Sequence, residues 1–248
     1  MTQFLKSLNW SGPCLSLLEH MKSLDPEKPA ILHIRHTERT SFAQEELVRQ
    51  PDLYNPYALI STDTGKHAAV DFGASLPTSR QHVLFHTPVD RTLETAESIC
   101  QGIRNTGGKA VLAGKFADLP VLDQKARTEL ARRRVLRYGI DVFPDGGAIL
   151  WICGHNPTSL QKPSLEFSQE IARTNMDNLR NAPSNALHTY VSHDSWILTL
   201  MFHWFALLPD PDNVSFLGGF LMQLNTDGLQ VWYRDKSRLY EYPYWWPT

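Results

Sequence analysis

The run Ala30-Ile31-Leu32-His33-Ile34 constrains the fold most. Five consecutive residues, apolar but for one histidine, suit a central parallel strand covered on both faces. His82 to Phe85, Ala110 to Ala113 and Leu187 to Val191 read as further strands. Helical segments lie between them. The first 28 residues form a short lead-in with Leu15, Leu18 and Met21 on one face. Thr64 to Ser75 reads as a helix ending at Pro77. Another helix follows Thr87, which can cap it, with Pro88 in its first turn and Asp90 complementing the dipole. Its apolar stripe is Val89, Leu93, Ala96, Cys100 and Ile103, and Asn105 to Gly108 ends it.

The middle of the chain is less periodic. Glu45 to Gln50 reads as a brief helix or loop over a site, Asp123 to Tyr138 as a charged helix, and Pro144 to Gly147 as a turn. A helical excursion is expected around Glu166 to Leu179. The last helix starts at Ser192 or Asp194 and buries Ile197, Leu200, Met201, Trp204, Phe205 and Leu208. Phe216 to Leu224 and Leu229 to Tyr233 flank Asn225-Thr226-Asp227-Gly228, a strong hairpin signal. Gly218 and Gly219 point to a bulge or a close backbone approach. Strands alternating with helices predict an α/β domain whose mostly parallel sheet ends in an antiparallel hairpin.

Ligands of such sheets sit at the carboxyl ends of the strands. His36, Thr87 and His193 each follow an expected strand, which puts them on one rim. At the first of these ends the chain reads Arg35-His36-Thr37-Glu38-Arg39, an imidazole between permanent cations. Arginine forks suit the oxygens of a phosphate dianion, and a histidine between them can attack phosphorus. Flanking Arg35 and Arg39 should lower the His36 pKa and favour the neutral nucleophile.

That pentapeptide resembles the Arg-His-Gly-x-Arg signature of the histidine phosphatase superfamily, which includes phosphoglycerate mutases and histidine acid phosphatases. The glycine is replaced by Thr37. Thr87-Pro88-Val89-Asp90-Arg91-Thr92-Leu93-Glu94-Thr95-Ala96 is similar to the segment carrying the family's next arginine. Ile60 to Gly65 with Phe72 to Pro77 looks like its intervening helix, and Val191-Ser192-His193-Asp194 like the His-Asp pair of the acid-phosphatase branch.

The resemblance implies an α/β fold, a three-layer α/β/α sandwich with a mostly parallel mixed sheet and a helical cap or insertion. Residues 1–248 form one domain, with the variable insertion at about 113–186. It implies His36 as nucleophile, Arg35, Arg39, Arg91 and His193 as the phosphate clamp, and Asp194 as the acid that protonates the leaving group. Such an acid needs a raised pKa. Glu38, Asp118 and Asp123 are the fallback acids, and Asp194 as a helix cap is the competing reading. Thr37, Glu38 and His86 are pocket candidates, and the Thr37 hydroxyl could donate to a phosphoryl oxygen, although a β-branched residue replaces glycine poorly.

The implied activity is a metal-independent phosphomonoester hydrolase working through phosphohistidine on a small phosphorylated metabolite. The alternatives are a mutase-like phosphotransferase and a catalytically weakened phosphate-ester binder. No cofactor or metal is expected: His82 and His86 lie about 13 Å apart along a strand, and Cys153-x-His155 lacks a partner at zinc spacing. The arginines at 127, 132, 133, 134 and 137 read as a solvated face, or as a lid that attracts a second anionic group.

A net charge of −2 argues against a general nucleic-acid or membrane-surface binder. Three sparse cysteines, no leader-like segment and an interrupted apolar stretch from Trp196 to Leu208 fit a cytoplasmic protein. The oligomeric state is not readable.

Overall fold

A computed structural model describes residues 3–41, 58–138, 146–210 and 214–247. The expected segment Glu45 to Gln50 lies outside them. Seven strands form one sheet: β1 (Ala30–Arg35), β2 (Gln81–His86), β3 (Lys109–Lys115), β4 (Ala186–Ser192), β5 (Gly219–Asn225), β6 (Gly228–Tyr233) and β7 (Lys236–Tyr240). Their order is β3-β2-β4-β1-β5-β6-β7. The pairs β3–β2, β2–β4 and β4–β1 are parallel, whereas β5 joins β1 antiparallel. β1 is thus central, as its apolar run requires, but it has a parallel neighbour on one side only.

Two cores form because β1 sends alternate side chains to opposite faces. On one face Leu32 and Ile34 pack with α1 (Gln3–Ser7), α2 (Gly12–His20), α3 (Asp63–Ala74) and α4 (Asp90–Asn105). On the other, Ile31 packs beneath α6 (Gly146–Ile152), α7 (Ser164–Arg180) and α8 (Asp194–Phe205). A fifth helix in chain order, α5 (Gln124–Tyr138), carries the arginine series. The result is the expected three-layer α/β/α sandwich. Phe167, Ile171 and Ala172 of α7 belong to the core on the Ile31 face.

Several details differ from the sequence reading. The residue before α4 is Val89, and no side chain caps that helix; the Thr87 hydroxyl accepts the Val89 amide at 3.3 Å, just ahead of the helix. The buried face of α4 is Arg91, Thr92, Thr95, Ala96, Ile99, Cys100, Gly102 and Ile103, leaving Leu93 half-buried. Gly146 and Gly147 begin α6 instead of completing a turn. Leu208 lies past the end of α8 and is 79% exposed, because α8 stops at Ala206 in a left-handed conformation. The hairpin forms as expected, and a Cβ on Gly219 would run into the His33 carbonyl, which accounts for glycine there. β7 adds an exposed edge that the sequence did not suggest. Among the described residues no helix is long and apolar enough to cross a membrane.

Candidate active site

Strand ends set the site. His36 follows β1, Thr87 follows β2 and His193 follows β4, so parallel pairing brings all three to one edge. The His36 amide donates to the Ser192 carbonyl across 2.9 Å, fixing the β1 exit against β4. The two imidazoles then lie 5.6 Å apart between ring centres, at 66°. His36, Arg91 and His193 are all buried.

Hydrogen bonds define the tautomers. Nδ1 of His36 lies 2.7 Å from the Thr37 carbonyl, which can only accept, so Nδ1 carries the proton and Nε2 is left basic. Nη2 of Arg91 donates to Nδ1 of His193 across 3.2 Å. The other His193 nitrogen, Nε2, donates to the Thr87 hydroxyl at 3.2 Å. That hydroxyl in turn donates to Thr92 Oγ1 at 2.9 Å, whose own proton goes to the Val89 carbonyl at 2.7 Å. The chain of donors runs in one direction and requires neutral His193.

The same environment keeps both imidazoles uncharged. Burial pushes the His36 pKa well below its ordinary value, and Arg91, His193 and Arg35 push the same way. The sequence reading credited Arg35 and Arg39; burial and Arg91 act more strongly. His193 is also held well below its ordinary value, by burial and Arg91, with Asp194 opposing.

Asp194 differs from expectation. Its Oδ2 meets Arg35 Nη2 at 2.9 Å, and its Oδ1 accepts the Ser195 amide at 2.7 Å. Burial works to raise its pKa, but Arg35, the Ser195 amide and His193 outweigh burial, and the carboxyl lies below its ordinary value. The carboxyl therefore does not show the raised pKa that an acid requires. The capping role is present in part, through the bond to Ser195. Arg35 also donates to the Val214 carbonyl at 3.1 Å and lies 4.5 Å over the Phe216 ring.

Arg39 stands further out, donating to the Thr40 carbonyl at 2.9 Å, while its charge is felt at His193 and Asp194. Glu38 is a framework residue. It accepts from Thr62 Oγ1 at 2.8 Å and Trp10 Nε1 at 3.3 Å. Asp118 and Asp123 are exposed, and Asp123 accepts the Ala126 amide at 2.7 Å where α5 begins.

Thr37 corrects a further expectation. Its hydroxyl donates to the Gly65 carbonyl at 2.7 Å, and its amide donates to Thr95 Oγ1 at 3.1 Å. The side chain is fully buried and Thr37 has no positive φ, so the loop does not need glycine. Instead Gly65 supplies the space, since a Cβ there would strike the Glu38 backbone.

His86 is buried and donates from Nδ1 to the Thr87 carbonyl at 2.7 Å; among the described residues no contact joins it to His36. His82 donates to the Pro77 carbonyl at 2.9 Å. No group of three or more metal-ligating side chains occurs among the described residues. Arg132 and Arg133 both close on Glu129 of their own helix, and Arg127 on Gln124. Sequence reasoning missed Thr92, Thr95 and Trp10. The two threonines lie in the quoted Thr87 to Ala96 segment, whereas nothing marks Trp10.

No family model matches the sequence, and no curated protein does. Solved structures do. YhfR of Bacillus stearothermophilus is 14% identical with a TM-score of 0.55, over 84% of this chain and 96% of that one. A phosphoserine phosphatase from Entamoeba histolytica is 12% identical with a TM-score of 0.48, over 83% of this chain and 96% of that one. A mycobacterial glucosyl-3-phosphoglycerate phosphatase is 14% identical with a TM-score of 0.47, over 86% and 99%. At such identities the likeness reaches the architecture and stops there: this chain has the fold of the histidine phosphatase superfamily.

Proposed function

We propose that the protein is a metal-independent phosphomonoester hydrolase that carries the phosphoryl group on His36 and takes a small phosphorylated substrate. The observation that carries this reading is a buried neutral imidazole with basic Nε2, set beside Arg91 and His193 from other strand ends. Phosphoryl transfer asks mainly for positioning and charge stabilisation, which fixed guanidinium groups supply.

In this reading Nε2 of His36 attacks phosphorus in line, and the bond to the leaving oxygen breaks. Arg91, Arg35 and Arg39 neutralise the phosphoryl oxygens, and His193 transfers its Nε2 hydrogen bond from Thr87 to one of them. Arg35 turns from Asp194 to the phosphate. Asp194 then loses a cation and gains an anionic neighbour, which raises its pKa until it holds the proton the leaving alkoxide takes. Asp194, left as a carboxylate, then takes a proton from water as its oxygen attacks phosphorus; the P–N bond to His36 Nε2 breaks and phosphate leaves. Thr37 and Glu38 hold the loop in place. His86 remains a pocket wall.

The whole chain then forms a single domain, with the variable cap or insertion at about 113–186 and the reducing cytoplasm as its setting, in keeping with three free thiols, one of them exposed. The test is phosphate release from 4-nitrophenyl phosphate in EDTA. Turnover should persist with chelator and vanish in His36→Ala. Activity lost to EDTA yet retained by that variant would refute the mechanism.

A further inference from the structure

Next to the phosphate-handling residues the rim opens into a cleft of about 400 Å3, walled by Trp10, Gly12, Pro13, Arg35, Val214 and Phe216. We propose that this cleft binds a flat aromatic group and makes the protein selective for aromatic phosphomonoesters. The selectivity rests on the phosphatase reading above; the cleft's preference for an aromatic ring does not.

Size comes first. An apolar cavity of about 150 Å3 takes benzene, so this cleft has room for a fused two-ring system. Its walls are suited to one. The Trp10 and Phe216 rings meet at 80° with centroids 5.5 Å apart, forming a corner into which a third ring fits edge-to-face against one wall and offset against the other. The Arg35 guanidinium, its carbon 4.5 Å from the Phe216 centroid, adds a planar cation of the kind that stacks on aromatic faces.

The walls are held in place. Trp10 packs against the core on one side, and its indole N–H donates to Glu38, which also accepts from Thr62. A fixed indole loses little freedom when a ligand arrives. Gly12 adds room: a Cβ placed there meets nothing within 4 Å.

Position connects the cleft to the chemistry. The Phe216 ring is 6.0 Å from the His36 ring, and Arg35 belongs to both places. A phosphoryl group at His36 therefore leaves its organic substituent beside the Trp10–Phe216 corner. Trp10 comes from the segment ahead of β1, which gives the lead-in helices α1 and α2 a role in ligand choice.

The experiment compares binding of 1-naphthylphosphonate and methylphosphonate, neither of which can be hydrolysed, by calorimetry on the full chain. The wild type should bind the naphthyl compound at least tenfold more tightly. Trp10→Ala and Gly12→Leu should each bring that ratio to about twofold, and Gly12→Leu should do so while leaving methylphosphonate affinity unchanged. Gly12→Leu fills the cleft from open space, so it covers the case in which Trp10→Ala fails to fold. A ratio near one in the wild type, or one that neither variant alters, overturns the proposal. Should the protein bind with the expected ratio but hydrolyse no phosphomonoester, the cleft stands and the phosphatase reading falls.

Discussion

Arg91 hydrogen-bonds to His193 across 3.2 Å, a permanent cation donating to an imidazole nitrogen in a buried setting. The bond does two things at once. It fixes the ring so that Nε2 bears the proton, and it keeps that ring neutral. A charged His193 would have to give up the contact, because its Nδ1 could no longer accept.

Arg91→Ala should therefore lower kcat/KM by about 10²- to 10³-fold through lost charge stabilisation. It should also raise the His193 pKa, since the second largest cause of its depression is removed. The check is a pH–rate profile and the His193 titration by NMR. An unchanged titration would show that Arg91 does not govern the ring.

Asp194→Asn separates the acid from the clamp. Leaving groups that need a proton should suffer, with kcat for an alkyl phosphate falling about 10²-fold or more, while 4-nitrophenyl phosphate changes severalfold. Equal losses for both substrates would assign Asp194 to holding Arg35 and the start of α8, through its bonds to the Arg35 guanidinium and the Ser195 amide.

Thr37→Gly restores the residue usual in the resembled signature, yet it should damage the fold more than it helps the chemistry. The change removes a buried hydroxyl bonded to the Gly65 carbonyl and empties methyl-sized space. The cost should be about 2–3 kcal/mol by chemical denaturation. A variant as stable as the wild type and several times more active would contradict the view that Thr37 fits this loop.

Acid should unfold this protein early. His33 is fully buried with its pKa pushed down to about 3, against 6.5 when unfolded. A group whose folded pKa is depressed stabilises the fold above the unfolded pKa, and that contribution is lost as pH falls from 6.5 towards 3. Its share by pH 5 is about 2 kcal/mol. His188, pushed down to about 4, acts in the same direction. The midpoint of urea unfolding should fall clearly between pH 7.5 and pH 5. A flat profile would mean that these histidines do not titrate with unfolding.

Local pattern was enough to find the strands that place the site. β1, β2 and β4 are apolar runs with polar residues just beyond, so His36, Thr87 and His193 could be put on one rim before any packing was known. β7 escaped because Lys236-Ser237-Arg238-Leu239-Tyr240 is an exposed edge strand and carries no burial pattern. α6 escaped because its opening glycines look like a turn, and packing of Ala148 and Trp151 into the core overrides that preference. The charge state of Asp194 depends on Arg35, a partner distant in sequence, so no local reading could fix it. The Trp10–Phe216 corner likewise exists only in three dimensions.

The central claim is that His36 becomes phosphorylated, and rapid-quench trapping with 32P-labelled substrate tests it most directly. The account predicts label on the wild-type protein that is stable in alkali, labile in acid, mapped to His36 and absent from His36→Ala. Active enzyme that never acquires such label at any quench time, or label on another residue, would contradict it.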